Sequence, residues 1–425
     1  MNTPDQTIPE KVASNLFSDD GGELTTNPFP LFAELRSIGP VVPIPFPMEG
    51  TDRKGWMVTQ LKEAVQILKD HAHFTVDPRS IDGSVPIKQK QNLDKSDESS
   101  DSPTFFTGST MLTVDDPDHR RLRMLVSKAF TPRFIEGLRP RVQEIADELL
   151  DQVQDQGEMD LIKDYAFPLP INVISEMLGV PKEDRAQIRI WSNALAHGQG
   201  LGKQDEGVKA HMQAFGEYTA KLVAEKRLHP ADDLISHMIA IEEEGERLSE
   251  EELLSTITLL IFAGHETTSN LIGTGTLMLL DHPNQLEKLK ADLSLVPSAV
   301  EELLRFNGPA TIVGPRYATE DIEIAGQQIK TGDMLLVIPA SANRDETQFT
   351  DPEELDIARK LNRHLAFGHG IHACLGKPLA RLEGDIAFTT LLKRMPNLRL
   401  SVPRESITWS FSLNSRSLTA LPVAF

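Results

Sequence analysis

Cysteine is almost absent: Cys374 is the only one in 425 residues. A lone thiol excludes a disulfide framework and suits a reducing compartment. Positive charge is also in deficit, with 43 Lys and Arg against 63 Asp and Glu and a formal net charge of −20. An acidic surface argues against nucleic acid or an anionic membrane as the main partner. Long apolar runs are missing. A membrane helix needs roughly 20 consecutive apolar residues, and the nearest candidate, 257–263, is far shorter. Residues 1–20 are polar and lack the apolar core of a signal peptide. No internal repeat is visible. What remains is an ordinary globular composition, 40% hydrophobic and 25% charged. A soluble, cytoplasmic monomer is expected.

Helical periodicity dominates. It predicts helices over 29–35, 62–70, 118–129, 132–154, 170–178, 182–196, 204–227 and 232–242. Ser249 and Glu252 form a capping-box signature. The helix behind them runs to about Leu280 and stops at Asp281-His282-Pro283. At 1.5 Å per residue it is roughly 45–50 Å long. It is apolar around much of its circumference, so it must be buried. A short helix ends at Phe306 and another near Arg394. Short strands are expected at 56–59, 311–313, 323–324, 328–329, 334–339, 398–402 and 418–421. Residues 1–25 read as a flexible N-terminus, and the polar stretch 84–108 as a mobile loop. The length suits two or three domains, but distant motifs that must share one site favour a single domain over 1–425.

The most specific stretch is Phe367-Gly368-His369-Gly370-Ile371-His372-Ala373-Cys374-Leu375-Gly376. A lone cysteine usually reads as a small buried hydrophobe. Here glycines let backbone pass close to something large and flat, and a helix start behind the sulfur favours a thiolate. That combination points to a one-thiolate metal cofactor, and haem iron takes such a ligand. A second motif, Ala263-Gly264-His265-Glu266-Thr267-Thr268, lies in the middle of the long helix. A glycine inside a helix costs roughly 1 kcal/mol against alanine, and an unpaired buried acid costs more. Both costs within one turn suggest a site, although a kinked helix with a solvated acid would look the same. His265 reads as facing a neighbouring helix.

Glu302 and Arg305 alone would be an ordinary i, i+3 ion pair. His119 and Arg123 share a helix face, and with Arg316 and His372 they could serve carboxylates. Singly, each reads better as surface charge; jointly they do not.

Together these segments resemble the cytochrome P450 family. The loop matches F-x-x-G-x-x-x-C-x-G, the helix motif A-G-x-[DE]-T, and Glu302 to Arg305 the family's E-x-x-R. The resemblance implies a mainly α fold with small β-sheets, holding haem between the long helix and the cysteine loop. It implies haem b with Cys374 as the axial thiolate, lined by Phe367 and Gly376. Ala263 and Gly264 would leave room for oxygen, Thr267 would hydrogen-bond it, and Glu266 would relay protons. Arg359 would join Glu302 and Arg305 in a lock beneath the loop. His119, Arg123, Arg316 and His372 would hold the propionates.

The implied activity is insertion of one oxygen atom from O2 into a C–H bond, the work of a bacterial hydroxylase. No flavin or iron–sulfur motif lies in the chain, so a separate ferredoxin or flavodoxin with an NAD(P)H-dependent reductase is implied. A basic patch of Arg120, Arg121, Lys377 and Arg381 is expected to receive it. By family position the substrate pocket draws on Met111, Leu112, Leu260 and the 191–201 segment. Ala310, Ile312, Val313, Phe411 and Leu413 complete it. That lining favours a neutral hydrophobic molecule, and the form of the Ala263 to Thr268 motif, similar to bacterial relatives that hydroxylate macrolides, other polyketides and steroids, implies a bulky natural product or steroid-like substrate. An H2O2-driven peroxygenase and a non-catalytic haem-thiolate sensor are the competing readings. Both fit poorly with the Glu266 and Thr267 pair.

Overall fold

Ser249 accepts a hydrogen bond from the Glu252 amide while the Glu252 carboxylate accepts one from the Ser249 amide. This reciprocal cap satisfies two donors that a helix start would otherwise leave open. It launches the helix Glu250–Asp281, 32 residues long and buried over most of its length. In the computed structural model the described residues are 8–16, 22–45, 53–81, 110–198, 206–240, 248–411 and 415–425. Helices Pro168–Leu178, Glu206–Leu228, Val296–Asn307 and Lys377–Arg394 pack on this central helix. Their apolar faces merge into one large core.

Two smaller cores flank a five-stranded sheet. Its strand order is Val41–Ile44, Gly55–Val58, Met334–Val337, Val313–Ala318 and Phe74–Thr75. Gly55–Val58 runs parallel to Met334–Val337, and the other pairings are antiparallel. Near the C-terminus Trp409–Phe411 pairs with Arg416–Leu418. The architecture is mainly α with small sheets, as the sequence leads one to expect. None of the described helices is long and apolar enough to cross a membrane.

Three expectations change. The predicted helix over 132–154 is two helices, Pro132–Gly137 and Arg139–Asp151. Pro140 opens the second, because it has no N–H with which to continue the first. Pro283, read as a stop, also starts another helix, Pro283–Ala291. Its fixed φ suits a first helical turn as well as it ends the previous one. The N-terminal stretch expected to be flexible includes the helix Ile8–Leu16, whose Val12 is fully buried with Leu24 and Phe32. The 84–108 segment lies outside the described residues.

Candidate functional site

The cysteine loop is held at both ends. The Cys374 amide donates to the Phe367 carbonyl at 2.8 Å. Gly370 sits at φ 74°, and a Cβ there would collide with the Leu68 carbonyl, so only glycine fits. Gly376 caps the helix Lys377–Arg394, and the amides of Gly376 and Lys377 act on the sulfur. The Cys374 side chain is exposed. Even so, burial among surrounding protein atoms pushes its thiol up, outweighing those amides and the charges of Arg123 and Lys377. The helix-start effect expected from the sequence is present but does not win on its own. Phe367 lies beneath the Arg381 guanidinium, 4.7 Å away.

Behind the loop, Glu302 and Arg305 are fully buried and doubly hydrogen-bonded at 2.8 Å. Arg359 reaches the same carboxylate at 3.1 Å. Asn362 adds a bond at 3.0 Å and the Asp356 amide one at 2.9 Å. Arg305 also donates to the carbonyls of Asn343, Pro352 and Glu354. What looks in sequence like a surface pair is a buried hub. Asn362 and the carbonyl partners left no local signal.

The cationic group divides. Arg123 donates to the Ala373 carbonyl at 2.7 Å, one residue before the cysteine. Arg316 is buried, donates to the carbonyls of Gly314 and Pro315, and is lowered to about 10 by desolvation, against the opposing charge of Asp115. His119 is buried, its Nε2 has no hydrogen-bond partner among the described residues, and burial lowers it to about 4. His372 behaves differently. Its Nδ1 faces the Met111 carbonyl at 3.2 Å and its Nε2 faces Asp115 at 3.3 Å. Burial opposes charge on Asp115, yet His372, Thr75 and the Val76 amide hold its carboxyl down at about 2. Asp115, which the sequence reading did not single out, therefore occupies the ring expected to serve a cofactor.

On the central helix Ala263 and Thr267 are exposed one turn apart, on the same face. The Thr267 hydroxyl donates to the Ala263 carbonyl at 3.2 Å. Glu266 is half-buried and accepts a hydrogen bond from Ser415 at 3.1 Å. His265 is buried, donating from Nδ1 to Ile261 at 2.7 Å and resting edge-on against Phe167, so it faces a neighbouring helix as expected. Gly264 differs from its expected part. A Cβ there would lie 2.8 Å from Ile174 Cγ1, so the glycine serves the close approach of helix Pro168–Leu178.

The expected pocket lining is only partly assembled. Leu112 is exposed and Ala310 half-buried, while Met111 and Leu260 belong to the large core. Ile312 is buried among Phe32, Leu336 and Met334 in one of the two small cores. Its neighbour Val313 packs on the other small core. Alternation along the chain sends adjacent side chains to opposite faces. The Phe411 side chain, Leu413 and part of 191–201 lie outside the described residues.

A family model described as Cytochrome P450 matches residues 199–417. The chain is 42% identical to the polyketide biosynthesis cytochrome P450 PksS of Bacillus subtilis (strain 168), over 96% of this chain and 98% of that one. The solved structure of PksS superposes with a TM-score of 0.84, covering 96% of this chain and 99% of that one. The cytochrome P450 monooxygenase PikC of Streptomyces venezuelae is 40% identical over 95% of this chain and 92% of its own. A myxobacterial cytochrome P450, CYP267B1, solved with myristic acid, is 40% identical with a TM-score of 0.85. That match covers 97% of this chain and 99% of that one.

Proposed function

This chain belongs to the cytochrome P450 family, and we propose that it holds haem on Cys374 and hydroxylates a bulky hydrophobic molecule of polyketide, macrolide or steroid type. It is a haem mono-oxygenase. The observation that carries the site assignment is the buried His119 Nε2, a polar atom without a partner among the described residues. Orphaned buried donors are rare because they are costly, by about 1–3 kcal/mol. With Arg123 and the buried Arg316, it makes a donor set suited to the two carboxylates of haem b. Cys374 supplies the one soft ligand, and a cationic metal is what would turn its raised thiol into a thiolate. His372 sits in this set as a brace between Asp115 and the Met111 carbonyl.

When bound, haem supplies the reductive activation of O2, with the thiolate favouring O–O cleavage. The chain's own residues do the rest. Thr267 presents a hydroxyl on the exposed face it shares with Ala263. Glu266, one residue earlier, passes protons between that face and solvent. Glu302, Arg305 and Arg359 keep the loop from shifting, since a buried hub of charged hydrogen bonds has few alternative arrangements.

Cytochrome P450 enzymes take electrons from a redox partner. A ferredoxin or flavodoxin fed by an NAD(P)H-dependent reductase is our reading. The four-residue basic patch is weaker than expected. Arg121 is paired with Glu252, and Arg381 with Glu301 at 2.6 Å. Arg120 and Lys377 are the exposed remainder. The likeness to PksS, named for polyketide biosynthesis, supports the polyketide class. An H2O2-driven route is disfavoured by the presence of both Glu266 and Thr267.

The test is the absorption spectrum of the dithionite-reduced protein with carbon monoxide. A strongly red-shifted Soret band that disappears in Cys374→Ser is expected. A histidine-type band, or no haem, would overturn the assignment. Spin-state titrations with macrolactones, steroids and fatty acids then address the substrate. Binding of fatty acids alone would exclude the polyketide or steroid class.

A further inference from the structure

Glu266 and Ser415 stand 149 residues apart in sequence, yet the Ser415 hydroxyl donates to the Glu266 carboxylate at 3.1 Å. Ser415 is not a loose surface serine. Its backbone forms a bridge with Ala310. The next residue, Arg416, is buried and pairs across the hairpin with Phe411. Arg416 stacks 3.4 Å over Trp409 and donates to the carbonyls of Thr25 and Thr26. Its guanidinium, lowered to about 9 chiefly by burial, is anchored on carbonyls and a ring. The hydroxyl facing Glu266 is therefore set on a firmly held strand end. Ala310, the half-buried residue expected to line the pocket, is bridged to that same point.

A carboxylate side chain has several rotamers, and proton transfer requires one of them to face the reacting group. A hydrogen bond to a charged group is among the stronger ones available. We propose that Ser415 is a positioning residue for Glu266, and that it couples the C-terminal hairpin and Ala310 to proton delivery at Thr267. A ligand that presses on Ala310 shifts the Ser415 hydroxyl, and with it the carboxylate. The inference rests on the reading of Glu266 as a proton relay, and it adds a residue that the family motif does not contain.

The experiment uses the full-length haem-loaded enzyme with a plant-type ferredoxin, its reductase and NADPH, without and with testosterone as the probe. Four variants are compared with wild type: Ser415→Ala, Ser415→Thr, Glu266→Gln and Ser415→Ala combined with Glu266→Gln. The readings are the rate of NADPH oxidation not ending in H2O2, the H2O2 share, and the H2O-to-D2O rate ratio. Loss of one hydrogen bond to a charged group corresponds to roughly 10- to 150-fold in rate. Ser415→Ala is expected to lose that much of the non-peroxide flux, with a larger isotope ratio and a larger H2O2 share. Ser415→Thr, which keeps the hydroxyl, is expected to restore most of it. Ser415→Ala should cost nothing further in the Glu266→Gln background.

If Glu266→Gln is impaired but Ser415→Ala matches wild type, the positioning role is wrong and the relay stands. If the two losses multiply, Ser415 acts by another route and the proposal also fails. If Glu266→Gln itself matches wild type, the relay reading falls and takes the Ser415 proposal with it. A purely structural effect of Ser415→Ala would lower haem content without changing the isotope ratio, and that result too would overturn it.

Discussion

Arg305 Nε lies 2.8 Å from Glu302 Oε2, and neither side chain has any exposed surface. Such a pair is held by its partners more than by its own attraction, because taking both charges out of water is expensive. Glu302→Gln leaves Arg305 and Arg359 facing a neutral amide. A loss of about 3–5 kcal/mol is expected, as for a broken buried pair. Arg305→Lys should be nearly as harmful, since an ammonium cannot span Glu302 and three separate carbonyls. Urea denaturation, with haem content measured alongside, checks both.

The contact between Gly264 and Ile174 predicts a non-additive pair. Gly264→Ala brings a methyl to 2.8 Å from Ile174 Cγ1, and overpacking of this kind costs roughly 1–3 kcal/mol. Ile174→Ala removes the obstructing atoms. The double variant should therefore be more stable than the sum of the single losses predicts, measured as a double-mutant cycle in urea.

Glu383 is fully buried on the helix Lys377–Arg394, and among the described residues neither carboxyl oxygen has a partner within hydrogen-bonding distance. Desolvation raises it to about 8, against a slight opposing influence from the nearby Thr268 hydroxyl. Between its unfolded value and about 8, the unfolded chain has released this proton while the folded chain retains it. Stability from this group is thus greatest at low pH and falls as pH rises through that window, by at most about 1.4 kcal/mol per unit. Glu383→Gln should remove the slope. The variant should gain on wild type from about pH 5 to pH 8, and equal stability of the two chains across that range would contradict a neutral Glu383.

His119 is held low by burial, at about 4. His119→Phe should speed haem loss to an excess of apomyoglobin, while the far-ultraviolet circular dichroism stays unchanged. Arg316→Leu should act in the same direction and more strongly, as it removes a charge. Unchanged haem retention in both would mean that the donor set around Arg123 serves something else.

Much of the candidate site was legible in the sequence as local motifs, to which the family resemblance gave weight. Cys374 with its glycines, the Ala263 to Thr267 turn, and Glu302 with Arg305 are each confined to one loop or one helical turn, where sequence distance is spatial distance. The capping box at Ser249 and the length of the central helix were legible for the same reason. The tertiary structure decided what these residues touch. It turned His372 toward Asp115, pressed Gly264 against Ile174, sent Ile312 into one of the two small cores, and brought Ser415 to Glu266. Each of those contacts joins segments far apart in the chain. Their geometry follows from how helices and strands pack around a shared core, a collective outcome in which one residue's partner depends on the placement of all the others.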